Sequence, residues 1–201
     1  MAEETSPVSA IVGRDAELEQ LRGFFELDAP AALVIDGEAG IGKTTLWSAG
    51  VDDARARGQA VLACRPAEAE AGLQFAALGD LLEPILPDVF PALPPPQRLA
   101  LETALARVAP AESFDRLAVS RAALAAVRHI ATSRPVVLAI DDVQWLDQSS
   151  ADVLEFVVRR LLSLPVRLFV ARRSERDLPP PLNLSQALPP GRLATIRVGP
   201  L

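Results

Sequence analysis

Gly37-Glu38-Ala39-Gly40-Ile41-Gly42-Lys43-Thr44 follows a short apolar run, Ala31–Asp36, and precedes a stretch, Thr44–Arg57, whose apolar residues Leu46, Trp47 and Val51 recur at helical spacing. The order reads as strand, glycine loop, helix, and the letters fit G-x-x-x-x-G-K-[ST], the pattern of a phosphate-binding loop. Glycines at 37, 40 and 42 let the backbone curl so that successive N–H groups point inward, and the helix N-terminus adds partial positive charge. Glu38, Ala39 and Ile41 contribute backbone to this cradle. Lys43 is placed to span the β- and γ-phosphates, Thr44 to offer its hydroxyl to Mg²⁺, and Thr45 to hydrogen-bond the α-phosphate. The spacing differs from the G-x-G-x-x-G of dinucleotide folds, which argues against hydride transfer.

Composition singles out the same position. Lys43 is the only lysine among 20 Lys and Arg residues. An ammonium is a compact point charge that fits between two phosphates inside a backbone loop, whereas a guanidinium is planar and wide.

A second candidate element lies about a hundred residues downstream, where the buried run Val136–Ile140 ends in Asp141-Asp142. Carboxylates at the C-terminal end of such a strand stand where open α/β sheets bind ligands. Asp141 is the candidate to hold Mg²⁺ and Asp142 the candidate to polarise an attacking water.

Strand-like and helix-like stretches alternate throughout, the pattern of an α/β fold with a parallel sheet covered on both faces. Strands are expected at Ala31–Asp36, Gln59–Cys64, Val136–Ile140, Val166–Ala171 and Leu193–Val198. Helices are expected at Thr44–Arg57, Gln74–Leu86, Gln97–Val108 and Asp115–Thr132, with a further one capped by Ser149 or Ser150 and running to about Leu162. The clusters Pro94–Pro96, Pro179–Pro181 and Pro189–Pro190 read as rigid connections.

The length of 201 residues fits one domain, 11–201, behind a flexible N-terminus, 1–10. A net charge of -6 does not suit a surface that neutralises a phosphate backbone, so DNA binding by this segment is not expected. Glu155, Glu175 and Asp177 offset the local run of Arg159, Arg160, Arg167, Arg172, Arg173 and Arg176. Cys64 is the only cysteine, which excludes an intrachain disulfide, and His129, the only histidine, has no second ligand type beside it. The acidic start and the lack of a membrane-length apolar run point to a cytoplasmic chain with no membrane partner.

Together these motifs resemble the ATPase domain of signal-transduction ATPases with numerous domains, specifically that of large LuxR-type transcriptional regulators of high-GC bacteria. Ile11-Val12-Gly13-Arg14-Asp15-Ala16-Glu17 resembles the upstream hydrophobic-Gly-Arg-x-x-Glu motif, which implies that Val12, Gly13 and Arg14 lie against adenine. Gly37–Thr45 is similar to the family's Walker A. Leu138–Asp147 is similar to its extended Walker B, with Trp145 and Asp147, and Leu73–Leu82 resembles a segment after the second strand. Arg172, with Arg173 as its rival, falls where the family has a strand-end arginine that senses the γ-phosphate.

The resemblance implies a P-loop NTPase with a five-stranded, mostly parallel sheet, the Walker B strand separated from the P-loop strand, and helices on both faces. It implies ATP and Mg²⁺ as cofactors, ATP or ADP as partners, and leaves room for self-association. The family continues past a segment like Gly199–Leu201 into a helical lid and a terminal helix-turn-helix, so DNA contact is expected only through a C-terminal domain absent from this chain, a fragment or truncated product.

A slow ATPase serving as a regulatory switch is therefore the expected function. The alternatives are a binding module without turnover and a small-molecule ATPase or kinase. A GTPase would need Asn-Lys-x-Asp, and the only asparagine is Asn183.

Overall fold

The computed structural model describes residues 11–26, 31–108, 115–174 and 182–200. The N-terminal ten residues, Pro179–Pro181 and the charges at 175–177 lie outside them. In chain order the elements are α1 (Asp15–Phe24), β1 (Ala32–Gly37), α2 (Lys43–Ala56), β2 (Ala60–Cys64), α3 (Ala76–Leu82), α4 (Leu86–Val89), α5 (Pro95–Ala104), α6 (Arg116–Ala131), β3 (Val136–Ile140), α7 (Gln148–Val158), β4 (Val166–Arg173), α8 (Leu184–Ala187) and β5 (Leu193–Val198). The sheet order is β2-β3-β4-β1-β5 and every pairing is parallel. β4 thus stands between β3, which ends in the paired aspartates, and β1, which leads into the glycine loop.

Successive strand side chains point to opposite faces, which splits the core in two. Leu33 and Ile35 of β1, Val137 and Ala139 of β3, and Phe169 and Ala171 of β4 pack with α1 and α2. Val34, Leu138, Ile140, Leu168 and Val170 pack on the other face with α3 to α8. All five residues of β3 are buried, as expected of a central parallel strand.

Several boundaries differ from the sequence expectation. The helix expected over Gln74–Leu86 is broken into α3, a 3-10 turn at Glu83–Ile85, and α4. Pro84 and Pro87 lack the N–H a continuing helix needs and instead occupy the first turns of new segments. Pro94–Pro96, expected as a loop, start α5: Pro94 is its N-cap and Pro95 its first residue. That helix stops at Ala104, short of Val108, and Ala106 has a positive φ. The cap of α7 is Asp147 and not Ser149 or Ser150; its carboxylate accepts from Ser150 N–H. A carboxylate is the better partner for a helix N-terminus.

Candidate functional site

The glycine loop connects β1 to α2. Gly40 and Gly42 have φ of 76° and 100°, the left-handed region that a Cβ disfavours, and Gly42 is the N-cap of α2. Gly37 serves differently. It is the last residue of β1, and a Cβ there would stand 2.9 Å from the Val198 carbonyl oxygen, so close approach of β5 requires glycine. Glu38, Ala39, Gly40, Gly42, Thr44 and Thr45 are exposed, while Lys43 is buried and its Nζ donates to the Glu38 carbonyl at 2.7 Å.

Three strand ends converge on this loop. Asp141 is 3 % exposed, and its carboxylate takes a hydrogen bond from the Thr44 side chain and one from Asp142 N–H at 3.0 Å. Burial raises its pKa above the ordinary value and the neighbouring charge of Asp142 adds to the rise, outweighing the hydrogen bonds. Burial likewise lowers the pKa of Lys43, where Arg173 works in the same direction and Asp142 and Asp141 oppose it. Lys43 therefore sits in a field made by Asp141, Asp142 and Arg173.

Oxygen donors from Thr44 and Asp141, with phosphates and water completing the shell, form the set that Mg²⁺ takes in nucleotide sites. Among the described residues no group of three His, Cys, Asp or Glu side chains could hold a metal. The residues present fit a cation held jointly with phosphate oxygens.

The two candidate arginines part company. Arg172 donates to Asp36 Oδ2 at 2.9 Å across the β4–β1 pair and lines a cavity of about 200 Å³ with Val34, Val170 and Leu184, on the face away from α2. Arg173 follows Phe169 and Ala171 on the α2 face, the face of the glycine loop's helix, and its guanidinium carbon lies 5.9 Å from the Trp145 ring centroid. Arg14 is buried; it donates to Glu17, to the Ile41 carbonyl within the loop and to the Gly199 carbonyl beyond β5. Val12 is 86 % exposed and Gly13 has a φ of 77°.

Asp147 explains why the segment Leu73–Leu82 accompanies the paired aspartates. Its buried carboxylate accepts from Phe75 N–H at 2.9 Å and Ala77 N–H at 3.3 Å, and Ser150 Oγ accepts from Leu78 N–H at 2.9 Å. The start of α3 is thereby fastened to the start of α7. Sequence reasoning missed Asp36, Arg65 and Gln144. Arg65, just after β2, pairs with Asp141 at 3.7 Å and donates to Ser48 on α2. Arg172 for Asp36, Asp141 and Ser48 for Arg65, and Arg173 for Gln144 are long-range partners, which no local spacing reveals.

The sequence matches the family described as AAA ATPase domain over residues 10–170. This chain belongs to that family. No curated protein matches it. Solved structures with the AAA ATPase fold resemble it at low identity. A DNA replication initiation factor superimposes with a TM-score of 0.53 at 18 % identity, over 94 % of this chain and 48 % of its own. Drosophila ORC bound to DNA gives 0.52 at 17 % identity, over 94 % and 43 %. AMPPCP-bound DnaA from Aquifex aeolicus gives 0.51 at 15 % identity, over 93 % and 46 %. The AAA ATPase domain described here spans less than half of each of these chains. Among its described residues no helix is long and apolar enough to cross a membrane.

Proposed function

We propose that this AAA ATPase domain binds Mg-ATP at Gly37–Thr45 and hydrolyses it slowly, as the switch module of a LuxR-type transcriptional regulator. The observation that carries the reading is the junction of Thr44 with Asp141, beside a Lys43 surrounded by Asp142 and Arg173. The loop supplies backbone donors and Lys43 a compact cation for the phosphates. Thr44 and Asp141 hold Mg²⁺, which supplies charge neutralisation on the phosphate oxygens when bound. Asp142 orients the attacking water, and Arg173, in place of Arg172, senses the γ-phosphate. Val12, Gly13 and Arg14 lie toward the adenine. That DnaA, whose solved structure is similar in fold, carries AMPPCP supports the choice of an adenine nucleotide.

An aspartate at 142 reaches one methylene less far than a glutamate, which disfavours water activation and suits a switch. The same observation favours a second reading, binding without turnover. DNA contact in the proposed regulator belongs to another domain, and its localisation is cytoplasmic. Phosphate release from purified protein and ATP separates the readings: slow release that disappears in Lys43→Ala supports the switch, and none at all supports the silent module.

A further inference from the structure

One side-chain amide holds both the Asp142 carboxylate and the last backbone N–H of β4. Gln144 lies in the 3-10 turn Val143–Trp145 that follows β3. Its Nε2 donates to Asp142 Oδ1 at 2.7 Å, and its Oε1 accepts from Arg173 N–H at 3.2 Å. Only one orientation of the amide satisfies both bonds, because an ionised carboxylate cannot donate and a backbone N–H cannot accept.

The sheet accounts for one of these bonds. β3 and β4 pair as far as Ile140 and Val170; there β3 ends, and the chain turns at Asp142 with a φ of 51°. β4 continues to Arg173, paired with β1. On the side of β1, Leu168 N–H donates to the Ala31 carbonyl just before that strand and Ser174 N–H to the Gly37 carbonyl at its end. Strand alternation turns the Arg173 N–H to the opposite side, where β3 has already left. At this exposed strand end Gln144 Oε1 takes the place of the departed strand. Nothing in the sheet requires the other bond, from Nε2 to Asp142.

We propose that Gln144 is a positioning residue for hydrolysis: it ties the Asp142 carboxylate to the end of β4, so that Asp142, Arg173 and Lys43 keep one geometry. With Oδ1 engaged by the amide, Oδ2 is the oxygen presented to the water. The inference rests on the reading of Asp142 as the residue that orients the attacking water.

Two variants separate this role from a structural one. Gln144→Met keeps the length and loses both bonds. Gln144→Glu keeps an acceptor for Arg173 N–H but sets a carboxylate against Asp142. Gln144→Met should bind ATP and ADP within about threefold of the parent, while turnover at saturating ATP falls about 10- to 100-fold in both variants, the loss that a misplaced group causes. A purely structural role predicts parental turnover in Gln144→Glu and, in Gln144→Met, a lower melting temperature with unchanged turnover per bound nucleotide; that result overturns the inference and leaves the ATPase reading standing. Absence of turnover in the parent overturns both, since no hydrolytic step then exists to be positioned.

Discussion

Asp36 and Arg172 face each other in register on adjacent strands and are joined by a 2.9 Å ion pair, with Ser174 also hydrogen-bonded to Asp36. Burial opposes ionisation of Asp36, but the hydrogen bonds from Ser174 and Arg172 outweigh it and hold the carboxyl below its ordinary range. Arg172, the strand-end arginine that the family resemblance would set beside phosphate, is thus engaged in the sheet, and its neighbour Arg173 stands on the side of Lys43.

Arg172→Ala should therefore lower the melting temperature by about 2–4 °C, the shift that roughly 1 kcal/mol makes in a domain of this size. It should change ATP and ADP affinity equally. Arg173→Ala should weaken ATP more than ADP, because only ATP presents the third phosphate. Titrations of both nucleotides against both variants check this; an ATP-selective loss in Arg172→Ala alone would reverse the assignment. The Asp36 pair also has a pH signature. A depressed folded-state pKa gives stability that is complete above the ordinary value of 3.8 and fades as pH falls through the folded value. Arg172→Ala should flatten that acid limb in thermal scans below pH 4.

Asp141 carries the opposite shift, since its raised pKa means that the folded protein disfavours the charge near neutral pH. Asp141→Asn keeps an oxygen to accept from Thr44 and from Asp142 N–H while removing that charge. The nucleotide-free variant should melt about 2–4 °C higher than the parent, and its ATP affinity should lose most of its Mg²⁺ dependence. A lower melting temperature would show that the pairing with Arg65 outweighs the cost of burial.

Gly50 lies on α2 where a Cβ would meet the Phe169 ring at 2.7 Å. Phe169 is fully buried against Phe24, Phe25 and Trp47, so the ring has nowhere to move. Gly50→Ala should destabilise by about 1–3 kcal/mol despite alanine's better helix propensity. Denaturant unfolding measures the change; a stabilised variant would mean that the aromatic cluster repacks freely.

Asp142→Asn should retain ATP affinity, because Asp141 still serves Mg²⁺, and hold the domain in its ATP state. Trp145, beside Arg173, and Trp47, stacked on Phe169 with Arg65 over it, are the reporters. Tryptophan fluorescence should change on ATP addition, persist in the variant, and decay in the parent at well under roughly one turnover per second. Equal decay in both proteins would remove Asp142 from the step.

The sheet was legible because its five strands are apolar runs bounded by Gly, Pro or Asp, and the loop because Gly37 to Thr44 is a contiguous pattern. The helices after β2 were less legible: prolines at 84, 87 and 95 start turns as readily as they end them, and only packing decides which. Arg172 and Arg173 could not be separated by spacing, since the choice depends on which face of β4 meets α2. Gln144, Asp36 and Arg65 act through partners 29, 136 and 17 residues away, such as Arg173, Arg172 and Ser48.

In the proposed reading a single ammonium, Lys43, holds the nucleotide phosphates within the glycine loop. Calorimetric titration of ATP with Mg²⁺ into the parent, Lys43→Ala and Lys43→Arg tests it most directly. The parent should bind, Lys43→Ala should show no detectable binding, and Lys43→Arg should lose nearly as much, because its fork is too wide for a position that is buried beside the Glu38 carbonyl. Parental affinity in Lys43→Ala would contradict it.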